Sequence, residues 1–593
     1  MRPIRFVMLA AAALIVVQVA PSTRALGQAQ NAAPSAAIDN VTLDAGVAVY
    51  RIRRIEVFGS PLSAADLRQL FDATDAKSLT DRLRALQADR IFVPEIVAEM
   101  KSGTPDQRVT YRNLVLSGVD NGHVADASAQ SVSMALTDAQ SNSISGDFGA
   151  LTVHNIDLIL AGRIAASSRD SNEAKGLLYE SFSFDSGGFI VPKENFEVTF
   201  GRITGATIRA RPFSTPPSAL PKQNGTDQMS PEDKRVMAGF GADLLDSFDI
   251  GNFEIQDIGV KGTSDAKPFN GHLDRMRLAG FGDAKIEELS FAGFSTSTSD
   301  AVHVELGTLA FRGFDMSATR ARLRAAATDN AQPLDEAKPR EFMPNLRDFS
   351  LSGFEYRGAS AGGAIVAGSG RGAVRIGKIE MHGSELLDGM PTALNARMDG
   401  LSFDVSPTSP DDTLRTIGGL GYSRVDVGSR IDAAWKQSAQ ELAVNEVSVA
   451  ANGMGGLKLR GLLTNVSKDL FAPEPAVAQA AALSSLVKNI DLTVTDQGLL
   501  NRMVANEAKR SGRTADGVRS EWVAAAAVGI PAALGDAPAG RTLGSAVSKF
   551  IASPKVLHIT INAPNGVGAA EVMLFSQDPQ GFLKRIDVQA SAD

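Results

Sequence analysis

Cysteine is absent from all 593 residues, which removes disulfide staples, thiolate metal sites and cysteine nucleophiles together. The 5 Tyr and 2 Trp are few beside 28 Phe. Phe fills cores, whereas Tyr and Trp carry the polar handles used at sugar sites and membrane interfaces. Too few remain to build the aromatic girdles of a transmembrane β-barrel. Basic excess is lacking too: 59 Lys and Arg face 67 Asp and Glu, for a net charge of −8, which argues against a nucleic-acid partner. The 6 His are scattered, with no pair at metal-binding spacing, so no metal or other cofactor is expected. After the first residues no window holds 18 uninterrupted apolar side chains, so no later transmembrane helix is expected.

The N-terminus is patterned differently. Arg2 and Arg5 precede an apolar run, Phe6 to Val17, and small residues at Ala25, Gly27 and Ala29 follow Pro21 and Arg24. That is the layout of a cleaved secretory signal over residues 1–29, which predicts an exported, periplasmic protein. Residues 30–49, rich in Ala, Asn and Ser, read as a linker.

Between residues 273 and 314 one nine-residue phrase occurs three times, at Leu273–Phe281, Ile286–Phe294 and Leu306–Phe314. Its form is apolar-x-x-apolar-x-apolar-x-Gly-apolar. Eight further copies stand at Ile52–Ser60, Tyr111–Val119, Phe148–Ile156, Ile250–Ile258, Leu346–Phe354, Ile376–Ser384, Ala393–Leu401 and Met454–Leu462. The eighth position is Gly in most copies, and Asn155 or Asp257 in two that retain a residue tolerant of positive φ. Alternation places positions four, six and eight on one face of a strand, with polar or small residues such as Glu254, Arg277 and Arg397 on the other. Each copy therefore reads as a short amphipathic strand ended by a glycine turn or bulge. The spacing between copies is irregular, with steps of 13, 20, 23 and 40 residues, which departs from a solenoid or propeller and favours a meander.

The expected fold class is mainly β: an elongated, meandering antiparallel sheet with one apolar face, plus a C-terminal α+β unit. Residues 50–110 read as a small α/β opening unit and 111–470 as the repetitive β region. Ser230-Pro231-Glu232-Asp233 predicts a helix over about 231–247 within it. From 471 to 593 helices and strands mix, with Gly512 ending one helix and Thr514 starting the next, and this stretch reads as a separate unit.

Catalytic patterns are sparse. Gly358-Ala-Ser360-Ala-Gly362 matches a nucleophile elbow in letters, which makes a serine hydrolase using Ser360 the enzymatic alternative, but Gly363 and further glycines follow where a helix is needed. The apolar stripe is the other candidate. Its sixth positions in neighbouring copies, Leu278, Phe291, Phe311 and Leu351, either pack as core or line a groove for acyl chains.

The leader, the recurrent Leu-x-Gly-Phe strands (Leu278 to Phe281 and Leu351 to Phe354 among them) and the long amphipathic β region over 111–465 resemble the AsmA/TamB class of envelope proteins. The C-terminal stretch resembles tails of uncharacterised exported proteins of Gram-negative bacteria. The first resemblance implies an elongated β-groove that handles lipids between two membranes; those proteins keep an N-terminal anchor, whereas a cleaved leader is read here. Non-catalytic binding or scaffolding of a lipid or other hydrophobic envelope component is the resulting expectation, and a structural or protein-interaction module of the envelope is its rival.

Overall fold

The computed structural model describes residues 33–593 apart from 45–47, 73–76, 101–105, 138–142, 171–172, 222–229, 265–266, 299–301, 329–343, 359–371, 388, 410, 473, 535–536, 569–570, 572–580 and 582. Residues 1–29, where a leader is expected, and Ser360 lie outside the described residues. The protein is mainly β, and every strand pairing that is described is antiparallel. Strand pairs such as His123–Ala129 with Ser131–Thr137 are collinear halves, since both continue one register against Asp106–Asp120. With such halves joined, each strand pairs with its neighbours in sequence, which is the expected meander.

The nine-residue phrase has a backbone cause. On Asp106–Asp120 the side chains of Tyr111, Leu114, Leu116 and Val119 are buried, while Asn113 and Gly118 between them have φ of 52° and 61°. On Leu151–Asp157 the buried residues are Leu151, Val153 and Ile156, and Asn155 has φ of 54°. A left-handed residue rotates the chain so that its successor returns to the face that strict alternation would leave. The apolar face therefore comprises positions one, four, six and nine. This corrects the grouping of four, six and eight, because the eighth residue is the pivot in nine of the eleven copies, Gly383 and Gly461 being the exceptions. It also corrects the expectation that this residue ends the strand. Gly280 lies within Lys267–Gly282 and Gly353 within Asn345–Gly358, and both ladders continue past the pivot.

The phrase is also complementary to itself. Leu273 faces Ile258, Met276 faces Ile255, Leu278 faces Phe253 and Phe281 faces Ile250, so position one meets nine and four meets six. The same rule sets Phe354 against Ile376, Leu351 against Ile379 and Phe349 against Met381. Each apolar cross-strand pair contributes roughly 0.2–1 kcal/mol, and a slip of one residue would lose them all. Pairing requires only this register, whatever the length of the connection. The helix Ser317–Ala326 thus fits between paired copies without disturbing them, which explains the irregular spacing.

The chain divides into two compact units, Met1–Thr296 with Arg312–Pro344, and Ser297–Phe311 with Asn345–Asp593. In the first, the apolar face of the early strands is closed. Ile38, Ile55, Val57, Leu151 and Ile156 share a core with Leu67 of the helix Ala64–Leu70 and Leu160 of the helix Leu158–Ala166. Ser63 caps the first of these helices reciprocally with Asp66. The supposed linker over 30–49 is corrected here, for Ala36–Asp44 is a strand paired with Ala48–Phe58. Ala36, Ile38 and Val41 point into the core, with Asn40 at φ 58° as the pivot; its Ala-rich composition hid that pattern. Pro94, a residue type that usually keeps to sheet edges, lies in an interior strand, Ala88–Met100, paired on both sides. The expected insertion is present as the helix Pro231–Leu244, capped by Ser230.

In the second unit strands run in order from Asn345–Gly358 through Gly372–Leu387, Met390–Asp404, Arg424–Lys436, Glu441–Ala451, Gly455–Thr464, Leu486–Asp496 and Val556–Gly568 to Asp587–Ala592. The C-terminal stretch is α+β as expected but is not a separate unit. Leu486–Asp496 pairs directly with Gly455–Thr464, and the helices Leu499–Ser511, Ala515–Ala533 and Pro538–Ala552 are inserted between strands of the same sheet. Gly512, at φ 68°, and Thr514 punctuate the first two helices as the sequence indicates.

Two left-handed glycines, the strand pivot Gly353 and the turn residue Gly453, separate strain from close approach. A Cβ at Gly353 (φ 66°) would stand 3.3 Å from the Gly307 backbone, whereas one at Gly453 (φ 69°) meets nothing within 4 Å. Gly453→Ala should cost about 1 kcal/mol for left-handed strain alone, and Gly353→Ala about 2–3 kcal/mol, as read by denaturant unfolding. Equal losses would contradict the close approach.

Candidate functional site

Opposed residues of an antiparallel pair share a face, so two apolar rows can be followed strand by strand across the second unit. One passes through Phe349, Met381, Ala396, Ile431, Val447, Leu459, Leu492, Ile559 and Ala590. The other passes through Leu351, Ile379, Met398, Ser429, Val449, Leu457, Val494, Leu557 and Ala592.

Cover over these rows is uneven. At the C-terminal side the helix Pro538–Ala552 lies on them: Ala546, Val547 and Phe550 pack with Val494, Leu557, Ile559, Ala590 and Ala592. One strand inward the cover stops. Ile431, Val447, Val449 and Leu457 retain 42%, 39%, 46% and 41% of their exposure, although Ile431 opposes Val447 and Val449 opposes Leu457. Toward one strand end the sheet is closed by Leu414 and Ile417 of the helix Asp412–Gly419, which pack near Val425, Val427 and Met454. Toward the other, Trp435 is buried against Phe471, with ring centroids 5.0 Å apart, and its Nε1 donates to the Val466 carbonyl at 2.9 Å. The result is a patch of aliphatic floor on three adjacent strands, closed at both strand ends. A soluble surface seldom leaves contiguous aliphatic side chains in this state without a use for them.

The four residues singled out from the sequence all fall on the stripe, and all are half-buried. Leu278 and Phe291 belong to the first unit, where Leu278 opposes Phe253. Phe311 and Leu351 belong to the second, where the Phe311 ring lies 5.5 Å from Phe349 and Leu351 opposes Ile379. The structure does not gather the four into one pocket. The most exposed floor was missed because Arg424–Lys436 and Glu441–Ala451 carry no copy of the phrase. Their signal was plain period two, at Val425, Val427 and Ile431, and at Val447 and Val449.

The opposite face is a charge ladder. Glu380 opposes Arg397, Arg397 opposes Arg430, Arg430 opposes Ser448 and Ser448 opposes Lys458. Lys458 reaches Glu446 at 2.7 Å. His154 and His382 stand beside Asp126 and Asp348 at 2.7 and 2.5 Å on solvated strand surfaces. Among the described residues no group of three or more His, Asp or Glu side chains is gathered to hold a metal. The described elements that flank Ser360 are two strands paired with each other, Asn345–Gly358 and Gly372–Leu387, whereas a nucleophile elbow leads from a strand into a helix.

A family model described only as an uncharacterized protein matches residues 448–593. No curated protein and no solved structure matches the chain.

The charge ladder yields a titration. Hydrogen bonds from Arg375 at 2.9 Å and Arg357 at 2.5 Å draw the Glu355 carboxyl down to about 2. Because the folded value is depressed, the stabilisation is present above the ordinary carboxylate range and is lost as pH falls through that range toward about 2. Carbon-detected NMR should follow Glu355 titrating near 2, and Arg375→Gln should move it upward. An unchanged value in that variant would contradict the pairing.

Proposed function

We propose that the protein is an exported, non-catalytic component of a bacterial envelope that binds a hydrophobic ligand, an acyl chain of a lipid, across the strands Arg424–Lys436, Glu441–Ala451 and Gly455–Thr464. The observation that carries this reading is the half-exposed state of Ile431, Val447, Val449 and Leu457, in a sheet whose apolar rows are covered by a helix one strand away. Completing the burial of four half-exposed aliphatic side chains is worth roughly 3–6 kcal/mol, half the full value for each. A flexible methylene chain can lie along such a floor without hydrogen-bonding partners, which these side chains do not offer.

The signal-like N-terminus supports export, and the resemblance of the strands to the AsmA/TamB class supports a lipid as the hydrophobic ligand. No helix among the described residues is long and apolar enough to cross a membrane, so the reading takes the ligand to the sheet rather than the chain into a bilayer.

Two measurements test this. Cell fractionation with N-terminal sequencing should find the protein in the periplasm, beginning at Gln28 or Gln30. Mass spectrometry of protein purified without detergent should detect bound acyl lipid, and the double variant Val449→Asp, Leu457→Asp should lose most of it while keeping its far-UV circular dichroism. Lipid-free wild-type protein, or a variant that retains its lipid, would favour the rival reading of a protein-interaction module.

A further inference from the structure

In the first unit two buried carboxylates, Asp243 at 4% exposure and Asp246 at 8%, sit at the end of the helix Pro231–Leu244 and gather four arginines. Arg211 Nη2 reaches Asp246 Oδ2 at 2.8 Å, Arg320 Nη1 reaches Asp246 Oδ1 at 2.9 Å, and Arg324 Nη2 reaches Asp246 Oδ2 at 2.5 Å. Arg169 Nη2 lies 3.6 Å from Asp243 Oδ1 and donates to Ser214 Oγ at 3.1 Å. Arg324 stands within 4.0 Å of Asp243 as well, so it bridges the two acids.

Two carboxylates cannot balance four guanidinium groups, and their capacity is further used by the Ser214 backbone N–H, which donates to Asp243 Oδ2 at 2.7 Å. Donors are left over. Arg169 Nη1, Arg211 Nε and the Ser247 hydroxyl are buried without a hydrogen-bond partner. Arg211 and Ser247 are tied side by side through the Arg211 N–H to the Ser247 carbonyl at 3.0 Å. Lys175 pairs with Asp249 and Asp283, and Asp283 also feels Arg320 and Arg211, so five cations stand against four carboxylates. Orphan donors buried beside a cluster in which cations outnumber carboxylates are costly, unless an anion completes it. Guanidinium forks and a hydroxyl are the groups that recognise phosphate.

We infer that Arg169, Arg211, Arg320, Arg324 and Ser247 form a binding site for a phosphate-type oxyanion. Arg320 and Arg324, 27% and 46% exposed on the helix Ser317–Ala326, supply its open side. Arg169 and Arg211, 12% and 20% exposed, supply its floor. The anion is either free inorganic phosphate or the phosphate of a lipid headgroup. This inference does not depend on the acyl-chain reading, since it concerns the other unit and a polar ligand.

The test uses the full chain and inorganic phosphate. At constant ionic strength, phosphate should raise the melting temperature of wild-type protein where chloride does not, and calorimetry should give a saturable isotherm. Arg169→Gln, which leaves Asp243 its Ser214 and Arg324 partners, should weaken phosphate by roughly tenfold or more; so should the more exposed Arg324→Gln. Flotation with phosphatidylglycerol vesicles, competed by phosphate and absent with phosphatidylcholine, assigns the site to a headgroup, whereas phosphate binding without flotation assigns it to the free ion. A phosphate effect no larger than that of chloride on wild-type protein overturns the site, as does unchanged affinity in both folded variants.

Discussion

Most of the repeat region depends on one backbone constraint, a left-handed residue placed within the strand. Without it, residues six and nine of the phrase would point to opposite faces. With Gly280, Gly353 or Asn155 in that conformation, residue nine joins six on one side of the sheet, and opposition to nine and six of a partner copy holds one and four there too. Because positions one and nine, and four and six, exchange places in an antiparallel partner, the same short sequence can serve both strands of a pair. Meander topology follows, for each new strand needs only the register of the last one.

A sheet built this way has an apolar side that something must cover. Early in the first unit, helices do so, and side chains such as Val57 and Leu151 are fully sequestered. In the second unit the helix Pro538–Ala552 covers the last strands, and the floor around Val449 is left open. Covering helices enter as insertions between strands, so cover is local and independent of the ladder beneath it. The same architecture can therefore present both a closed core and an exposed apolar floor.

Much of this was legible in the residues. The pattern at Leu273–Phe314 carried the strands, their polarity and the special role of the eighth position, and Ser230, Gly512 and Thr514 marked helix ends that are present. What stayed hidden was tertiary. Ala36–Asp44 looked like a linker because its apolar residues are small and its alternation is shifted by Asn40. The continuity of Leu486–Asp496 with the repeat region was masked by the linker-like Phe471-Ala472-Pro473 preceding it. The patch itself depends on which rows a helix covers, and no periodicity within one strand encodes that. The arginine cluster joins residues 169 to 324 across elements with no shared motif.

The absence of cysteine allows a direct test of the open floor, because a single thiol can be introduced into an otherwise unreactive chain. Labelling rates of Val449→Cys, measured against the fully buried Val504→Cys, report whether the floor is accessible and whether a ligand shields it. The account predicts rapid modification of the thiol at 449, slowed severalfold by a saturating long-chain fatty acid, with the thiol at 504 inert throughout. A thiol at 449 as unreactive as the one at 504, or one whose rate the fatty acid leaves unchanged, would contradict it.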